Sequence, residues 1–480
     1  MVRPAERSAG SRSGRVGTGV ALERPMRLSR FVVRYDDVRP GEHVLYSVLN
    51  DRYIGIDAAT AAAVDRWSAG TRPRDDEERE VALALREEGF VVAERGEDDR
   101  ALRDHLDKSR DGLPGTMMVT LLPTLQCNLA CGYCFQKESP AFTKMDAAAE
   151  AASLEWMLRI IDERSLHTLH VHYFGGEPTT RKDFCLRTAE VLQAAMAARG
   201  GTFEWSPTTN GVLLEVPFVK ALRGFGKGSI KITLDGDRET HDAARVFRDG
   251  RGSFDRIFAN VVACAPHVPI RIGGNFLPGQ GASYERLLER LDAAGLAGKL
   301  ESVRFKPVLD VDRAKGCSGC DHGGAAEVAT LVQLNKSVSA RKLGAAPGEP
   351  LEAMLGPCEL HWRNNYTIDP EGLVYKCPAV AGRPEMAVAN VRASSDSPER
   401  RPAEKPAPLL ELRPWEKCGD CAYLPVCVGG CLGGKWLKTG RTDEVSCNRD
   451  AFAAAFSESV RARYLKEFEV PDQGWQRAAG

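Results

Sequence analysis

Between residues 113 and 310 the sequence alternates short apolar runs with longer amphipathic segments, and this alternation constrains the fold most strongly. Strand-like runs recur along this region and are separated by segments in which apolar residues follow helical spacing. The runs are TMMVTLLP, LHTLHVHYF, FEWSPTTN, SIKITLD, VPIRIGGNF and SVRFKPVL. The pattern predicts an α/β fold with a parallel sheet. A partial (β/α)6 TIM-like barrel fits these units and would place its chemistry in the loops after the strands, while an open doubly wound sheet is the alternative.

The remaining sequence divides into regions of different character. Their boundaries are 1–25 for a disordered tail, 26–112 for a small α+β module with a linker, 311–450 for a cysteine-rich region, and 451–480 for a closing helix and a tail. The tail is basic but lacks the apolar segment of a secretory signal, and Met26, which opens the first patterned segment, is an alternative start. Residues 393–408, rich in Ser, Pro and charge, predict a surface loop.

The charge and hydropathy of the chain argue against two classes of partner, nucleic acid and membrane. The chain has 65 Lys and Arg against 66 Asp and Glu, so its formal net charge is −1. This balance gives no reason to expect binding to nucleic acid. No stretch approaches the eighteen apolar residues of a membrane span, so we expect no membrane insertion and a cytoplasmic protein. Its 14 cysteines are therefore expected to bind metal rather than to form disulfides.

A short loop after the first strand of the repeat carries three cysteines. In the stretch LQCNLACGYCFQ, Cys127, Cys131 and Cys134 follow the spacing C-x3-C-x2-C. Three thiolates can hold three irons of a cubane iron–sulfur cluster and leave the fourth iron open, whereas electron-transfer cubanes use four cysteines. A catalytic zinc site with an open position and a purely structural role are the alternatives.

A second group of cysteines lies near the C-terminus. The stretch CGDCAYLPVCVGGC is followed by a further cysteine after fifteen residues, and an upstream pair flanks a predicted hairpin whose DPEG segment supplies the turn. These seven residues are Cys358, Cys377, Cys418, Cys421, Cys427, Cys431 and Cys447. Their spacing predicts metal centres, and a double zinc ribbon is the alternative to iron–sulfur clusters. Cys185 and Cys264 occur singly in amphipathic helices and are predicted to be buried core residues.

The three-cysteine loop, with Tyr133 before its last cysteine, resembles the signature of the radical S-adenosylmethionine (radical SAM) enzymes. In that family a 4Fe-4S cluster with one open iron binds SAM, and the 5′-deoxyadenosyl radical then abstracts hydrogen from the substrate. The segments FGGEP, TTNG and ITLDGDRETHDAAR lie at the ends of the next strands and resemble family segments that line the cofactor. The resemblance assigns cofactor binding to Tyr133, Gly175, Gly176, Glu177, Asn210, Asp235 and Arg245. A solvent-exposed helix charge is the alternative for Arg245, and no catalytic residue is assigned.

The C-terminal cysteines resemble the SPASM extension of these enzymes, which holds two auxiliary 4Fe-4S clusters. The resemblance places Cys418, Cys421, Cys427 and Cys447 on one cluster and Cys358, Cys377 and Cys431 on the other. Cys317 and Cys320, in GCSGC, are candidates to complete the second cluster. The region 26–112 resembles in outline the winged-helix-like leader-recognition module of peptide maturases, with an unrelated N-terminal cap as the alternative.

These resemblances imply a radical SAM peptide maturase. Such an enzyme would form a thioether or carbon–carbon crosslink in a ribosomal precursor peptide, with flavodoxin or ferredoxin as the reductant and the auxiliary clusters as electron acceptors. A formylglycine-forming sulfatase maturase is an alternative, but such enzymes carry an Asp where this chain has Pro378, which cannot take a proton. A non-catalytic iron–sulfur or zinc protein is the alternative from another class, and it leaves the three-cysteine loop with its GGEP segment unexplained.

Overall fold

The structure is a computed structural model. It describes residues 25–134, 136, 143–307, 325–344, 357–394, 397–400, 414–441, 445, 447, 449–468 and 476–477. The predicted tail up to residue 24, Cys317, Cys320 and most of the 393–408 segment lie outside the described residues.

The first elements form a small antiparallel sheet with three helices. They are β1 (Arg27–Leu28), β2 (Val32–Arg39), β3 (Glu42–Ser47), β4 (Arg52–Asp57), α1 (Ala58–Ser68), α2 (Asp76–Glu87), β5 (Val91–Val92) and α3 (Arg95–Ser109). Strands β2, β3 and β4 form a meander, and β1 pairs with β5. Asp57 and Asp75 cap α1 and α2, because each carboxylate accepts a backbone N–H of the first turn. Helix α3 occupies a stretch that the sequence analysis assigned to a linker.

The central region alternates strands and helices. Its elements are β6 (Thr116–Leu121), α4 (Ala147–Glu163), β7 (Thr168–Tyr173), α5 (Lys182–Ala198), β8 (Thr202–Trp205), β9 (Thr208–Thr209), α6 (Val216–Arg223), β10 (Lys227–Gly228), β11 (Ile230–Thr233), α7 (Arg238–Ala244), α8 (Phe254–Cys264), β12 (Ile270–Phe276), α9 (Gly281–Ala293), β13 (Leu300–Pro307) and α10 (Ala325–Ala340).

The strand order confirms a partial barrel. Strands β6, β7 and β8 pair in parallel, and so do β9, β11, β12 and β13. Strand β9 follows β8 after two residues, so the second set of strands continues from the end of the first. Neighbours in space are thus neighbours in sequence, whereas a doubly wound sheet reverses its order at the middle. Alternate strand residues pack outward against the helices, and the other residues face the lumen.

The C-terminal region extends the barrel sheet. Its elements are β14 (Asn365–Ile368), β15 (Leu373–Tyr375), β16 (Ala389–Asn390), α11 (Leu424–Cys427), α12 (Leu432–Thr439), α13 (Arg449–Glu467) and β17 (Gln476–Arg477). Strand β14 pairs in parallel with β6, and β15 and β16 continue the sheet in antiparallel order. The predicted hairpin turn is confirmed, since Asp369 accepts the backbone N–H of Glu371 and of Leu373. Gly372 closes the turn with a φ of +85°.

Helix α13 packs on the sheet of the N-terminal module. Phe456 and Val460 lie against Val33, Tyr46 and other apolar residues of β2 and β3, on the face opposite α1 and α2. The hydroxyl of Tyr464 donates to Glu42 at 2.5 Å. Strand β17 pairs with β2, so the C-terminal segment completes both the face and one edge of this sheet. No helix in the described ranges is long and apolar enough to cross a membrane.

The packing of α13 predicts a large cost for removing Phe456. Its ring is buried and lies 5.7 Å from that of Tyr46. Phe456→Ala should therefore lower the free energy of unfolding by about 3–5 kcal/mol, measured by urea denaturation. Val191→Ala on α5 is the control, because that side chain is 46% exposed and its loss should change stability by less than about 0.5 kcal/mol. Equal effects of the two substitutions would contradict the packing.

Candidate active site at the carboxyl end of the barrel

The three-cysteine loop follows β6 and is anchored through its backbone. The N–H of Ala130 donates to the carbonyl of Val246 at 2.8 Å, and the N–H of Gly132 donates to the carbonyl of Ala244 at 3.0 Å. The acceptors lie directly after or at the end of α7, so the loop between residues 127 and 134 is attached to the segment that follows β11. The loop therefore sits over the carboxyl edge of the barrel, where the sequence predicted it.

The glycine pair after β7 lies directly on the cysteine loop. The N–H of Gly176 donates to the carbonyl of Thr124 at 3.0 Å, and the N–H of Glu177 donates to that of Gln126 at 2.8 Å. A Cβ on Gly175 would lie 2.3 Å from the carbonyl oxygen of Thr124, and one on Gly176 would lie 2.1 Å from that of Gln126. We expected these glycines to admit a ligand. The structure gives them another reason, because any side chain here would push the cysteine loop away.

The carboxylate of Glu177 is buried and holds two loops together. Its Oε1 accepts the backbone N–H of Thr179 at 2.9 Å and the hydroxyls of Thr179 and Thr209, while its Oε2 accepts the N–H of Asn210 at 2.7 Å. Burial raises the pKa of Glu177, and these donors oppose that rise. Oε2 keeps one acceptor position for a further donor, since a carboxylate oxygen has two lone pairs.

A second polar network joins the cysteine loop to β11 and β12. The Tyr133 hydroxyl donates to Asp235 Oδ2, and Arg245 Nη1 donates to the Tyr133 oxygen at 2.5 Å. Arg245 Nη1 also lies 3.6 Å from Asp235 Oδ2, and Asp235 Oδ1 accepts the N–H of Asn275 at 2.7 Å. Arg245 and Asp235 are both buried, which argues against a solvent-exposed charge for Arg245. Burial raises the pKa of Tyr133, so the phenol remains protonated.

A neutral histidine orients Asp235. The Nδ1 atom of His241 accepts the backbone N–H of Asp235 at 3.2 Å, so the proton of the ring lies on Nε2, 3.0 Å from the Ser253 hydroxyl. Burial, and then the charge of Arg245, lower the pKa of His241 to about 3. Sequence reasoning missed His241 and Asn275. The position of Asn275 at the carboxyl end of a barrel strand was the signal that could have found it.

The cysteine loop contains the donors that an iron–sulfur cluster and its ligand require. Cys127 and Cys131 lie in the loop with no disulfide, and burial raises the pKa of both thiols. In the described part of the chain no three ligating side chains already converge on one point. Arg245 Nε and Asn128 Nδ2 are buried beside this loop without a hydrogen-bond partner among the described residues. Three thiols with an unsatisfied guanidinium donor suit a cluster that carries a carboxylate-bearing ligand.

Six of the seven C-terminal cysteines fall into two neighbourhoods. Burial and the neighbouring thiols of Cys421 and Cys447 raise the pKa of Cys418 to about 11. The pKa of Cys427 is raised to about 12 by burial and then by the neighbouring thiols of Cys418 and Cys421.

The second neighbourhood lies at the start of α12. The N–H of Gly434 donates to the sulfur of Cys431 at 3.2 Å, and the sulfur of Cys377 would lie 3.1 Å from a Cβ on Gly433. Cys358 precedes the short 3-10 turn Glu359–His361 and is exposed. Cys317 and Cys320 are outside the described residues. Cys185 and Cys264 are buried in the barrel core, as predicted.

Comparison with known proteins gives this geometry a context. Residues 121–292 match the Radical SAM superfamily. The chain is 30% identical over 182 residues to the Fe-coproporphyrin III synthase of Methanosarcina barkeri, a match that covers 38% of this chain and 41% of that protein. It is 27% identical over 370 residues to the mycofactocin maturase MftC of Mycobacterium ulcerans, covering 69% of this chain and 87% of that protein.

Solved structures share the fold at low identity. Native anSMEcpe with bound AdoMet superimposes with a TM-score of 0.55 at 16% identity, over 74% of this chain and 98% of that chain. Streptococcus suis SuiB bound to S-adenosylmethionine gives a TM-score of 0.50 at 16% identity, over 88% of this chain and 99% of that chain. The similarity to these structures extends beyond the barrel.

The glycine contact predicts that Gly176→Ala disrupts the cysteine loop. Its added Cβ would lie 2.1 Å from the Gln126 oxygen, so the loop must move, and iron binding by the reconstituted protein should fall several-fold. Gly132→Ala is the matched control within the loop, because a Cβ there meets nothing within 4 Å. Iron content and the visible absorbance of anaerobically reconstituted protein provide the measurement. Equal iron in the two variants would contradict the predicted steric constraint.

The low pKa of His241 predicts a pH-dependent stability. Its folded pKa of about 3 lies below the ordinary 6.5, so the neutral ring stabilises the fold fully above about pH 6.5 and progressively less as pH falls towards 3. From pH 7 to pH 5 the wild type should lose roughly 2 kcal/mol more stability than His241→Asn. Urea midpoints at both pH values measure the difference. Parallel losses in the two proteins would contradict it.

Proposed function

We propose that this chain is a radical SAM enzyme, and that it is a peptide maturase that modifies a ribosomal precursor peptide. The observation that carries the proposal is the extent of the similarity to mycofactocin maturases. It covers 69% of this chain and therefore extends well beyond the 121–292 barrel segment. The reaction that we propose is a thioether or carbon–carbon crosslink.

The three thiols and the two polar networks indicate which residues at the barrel edge would bind the cluster and SAM. When bound, a 4Fe-4S cluster and SAM supply a 5′-deoxyadenosyl radical that abstracts hydrogen from substrate. Cys127, Cys131 and Cys134 would hold the cluster. The remaining acceptor position of Glu177 suits the ammonium of SAM. The Nε of Arg245, which has no hydrogen-bond partner in the described part of the chain, suits its carboxylate.

The other predicted cofactor residues contribute mainly through position. Gly175 and Gly176 bring Glu177 onto the cysteine loop, since no side chain fits at either glycine. Asn210 donates its side-chain amide to Asn128 at 2.7 Å, which fixes the residue beside Cys127.

The C-terminal region would hold two auxiliary 4Fe-4S clusters. The neighbourhoods described above support Cys418, Cys421, Cys427 and Cys447 on one cluster, and Cys377 and Cys431 on the other. We assign Cys358 to the second cluster from the resemblance to the SPASM extension. Cys317 or Cys320 would complete the second cluster. A crosslinked product has one electron fewer than the substrate radical, and the auxiliary clusters would accept that electron. Flavodoxin or ferredoxin would reduce the cluster that binds SAM. Pro378 opens a short 3-10 turn and offers no base, which disfavours sulfatase maturation.

The N-terminal module would bind the leader of the precursor as an added strand. Within the described residues its meander has two edges, and β17 already pairs with β2. Strand β4 forms the other edge, and an edge strand presents unpaired N–H and C=O groups to a peptide. We therefore place the leader of the precursor on β4, in a winged-helix-like module.

Cluster content tests the radical SAM assignment. Reconstituted protein should hold about twelve irons, at four for each cubane, and Cys127→Ala/Cys131→Ala/Cys134→Ala should hold about eight. The triple variant should also lose all reductive cleavage of SAM, measured as 5′-deoxyadenosine. Cys185→Ala and Cys264→Ala are controls, because these thiols lie in the core, and should retain the iron. Zinc in place of iron, or no loss in the triple variant, would refute the assignment.

Backbone methylation tests the leader site. Short reading frames beside the gene supply candidate precursors, and their synthetic leaders can be N-methylated one residue at a time. Strand pairing predicts that binding falls at every second position, because alternate N–H groups face β4. Removing residues 476–480 should leave affinity unchanged, since β17 pairs with β2 rather than β4. Uniform tolerance of methylation would exclude strand addition, and tighter binding after truncation would place the leader on β2.

A further inference from the structure

Basic side chains from three neighbouring strands face the lumen of the barrel below the cysteine loop. They are Lys231 on β11, Arg271 on β12, and Arg304 and Lys306 on β13. Their neighbours in sequence, such as Ile232, Ile272 and Phe305, are buried against the outer helices. Because strand side chains alternate between faces, the four basic residues point inward.

Register places two of these cations side by side and a third nearer the carboxyl edge. Lys231 pairs with Arg271 across β11 and β12, so the two backbones lie about 4.8 Å apart. Lys306 pairs with Asn275, the residue whose backbone contacts Asp235 in the candidate active site. A Cβ on Gly273 would lie 2.7 Å from Lys231 Cε, so this glycine leaves the room that the lysine occupies. The cationic cluster therefore extends from the carboxyl edge into the lumen.

Three of these four cations lack a protein counter-ion among the described residues, whereas Arg304 has an interaction of its own. Lys231, Arg271 and Lys306 form no ion pair there, and Arg271 Nε is buried without a hydrogen-bond partner. Burial, and then the charges of Lys306, Arg271 and Arg304, lower the pKa of Lys231 to about 8. Like charges held this close in a partly buried space destabilise the fold unless an anion joins them.

Polar side chains of β7 and β8 lie in the lumen near these cations. Glu204, which also faces the lumen, lies 3.3 Å from His170 Nδ1. His172 Nε2 lies 2.8 Å from the hydroxyl of Thr208, and burial together with His170 and the lumen cations lowers the pKa of His172 to about 3. The imidazole is thus neutral and adds hydrogen-bonding capacity without adding charge.

We propose that Lys231, Arg271 and Lys306 form a carboxylate-binding site that holds the substrate residue beside the candidate active site. The inference rests on the proposed function for the nature of the substrate, a peptide. Within a peptide the carboxylate comes from an acidic side chain or from the C-terminus. Either source would form charge-assisted hydrogen bonds with Arg271 and Lys231. Lys306, which pairs with Asn275, lies between these two residues and the cofactor end of the barrel, so the modified residue would extend towards that end.

Protection of Lys231 from acetylation tests the site without turnover. Reconstituted protein is treated with limiting acetic anhydride, and labelling of each lysine is read by peptide mass spectrometry. N-acetylglutamate α-amide carries a side-chain carboxylate, N-acetylalanine carries a C-terminal one, and N-acetylglutamine α-amide is the neutral control. One carboxylate probe should slow labelling of Lys231 in a saturable way, roughly tenfold at saturation. Lys220, exposed on α6, should label at an unchanged rate.

A substitution of Arg271 distinguishes binding at this site from a general effect of the charge of the protein. Arg271→Gln should raise the probe concentration for half-protection roughly tenfold, as expected for loss of one charged hydrogen bond. Arg223→Gln, on the outer helix α6, should leave that concentration unchanged. Equal protection by the neutral amide, or no protection by either carboxylate, would overturn the proposal. If Lys231 resists acetylation, equilibrium dialysis of radiolabelled probes gives the same comparison.

The outcomes for the site and for the maturase function can be told apart. Carboxylate protection in a protein that modifies no peptide would refute the maturase proposal and keep the site. Peptide modification without carboxylate protection would keep the maturase and refute the site. The more effective of the two probes identifies the source of the carboxylate.

Discussion

The backbone contact between the glycine pair after β7 and the three-cysteine loop organises the carboxyl edge of this barrel. Two N–H groups of one loop donate to two carbonyls of the other, and no Cβ fits between them. The contact fixes where Glu177 enters the core, and Glu177 in turn accepts donors from the loop after β9. Three strand ends are therefore joined through main-chain groups and the Glu177 carboxylate, and no thiol is required for these contacts.

Burial gives the polar groups at this edge defined protonation states. Tyr133 keeps its proton and His241 stays neutral, so Asp235 and Arg245 are the charged pair of their network. Fixed charges and dipoles in a desolvated place bind a charged ligand without reorganising. The lumen differs, because Lys231 lies near the like charges of Lys306, Arg271 and Arg304, which together with burial lower its pKa. The two regions meet at Asn275, which belongs to β12 and contacts Asp235.

Local patterns in the sequence predicted most of the barrel and the residues at its edge. Strand and helix periodicity found β6, β7, β11, β12 and β13, because each buries one face against helices. Helix α3 was missed because charged residues dominate it and only Leu102 is a buried apolar anchor. The pairing of β14 with β6 was also not predicted, since it joins residues 247 positions apart, such as Met118 and Asn365, and periodicity carries no information about such a partner.

The residues of the candidate site also divide into those that the sequence identified and those that only the fold revealed. Sequence identified Glu177, Asp235 and Arg245, which the structure brings to one edge, because a motif names side chains. It did not identify the reason for Gly175 and Gly176, because their neighbour is backbone that only the fold places there. The lumen cations were not noticed either, since Lys231, Arg271 and Lys306 are spread over three strands and form a cluster only when the barrel closes.

The position of α13 has a consequence for synthesis on the ribosome. Tyr464 and its partner Glu42 are separated by 422 residues, so one apolar face of the N-terminal sheet is made long before the helix that covers it. At typical elongation rates of 5–20 residues per second, that face is exposed for roughly 20–80 s. The nascent chain presents an uncovered sheet during that interval, which is the kind of surface that chaperones bind. Completion of the first module thus waits until α13 has emerged from the ribosome.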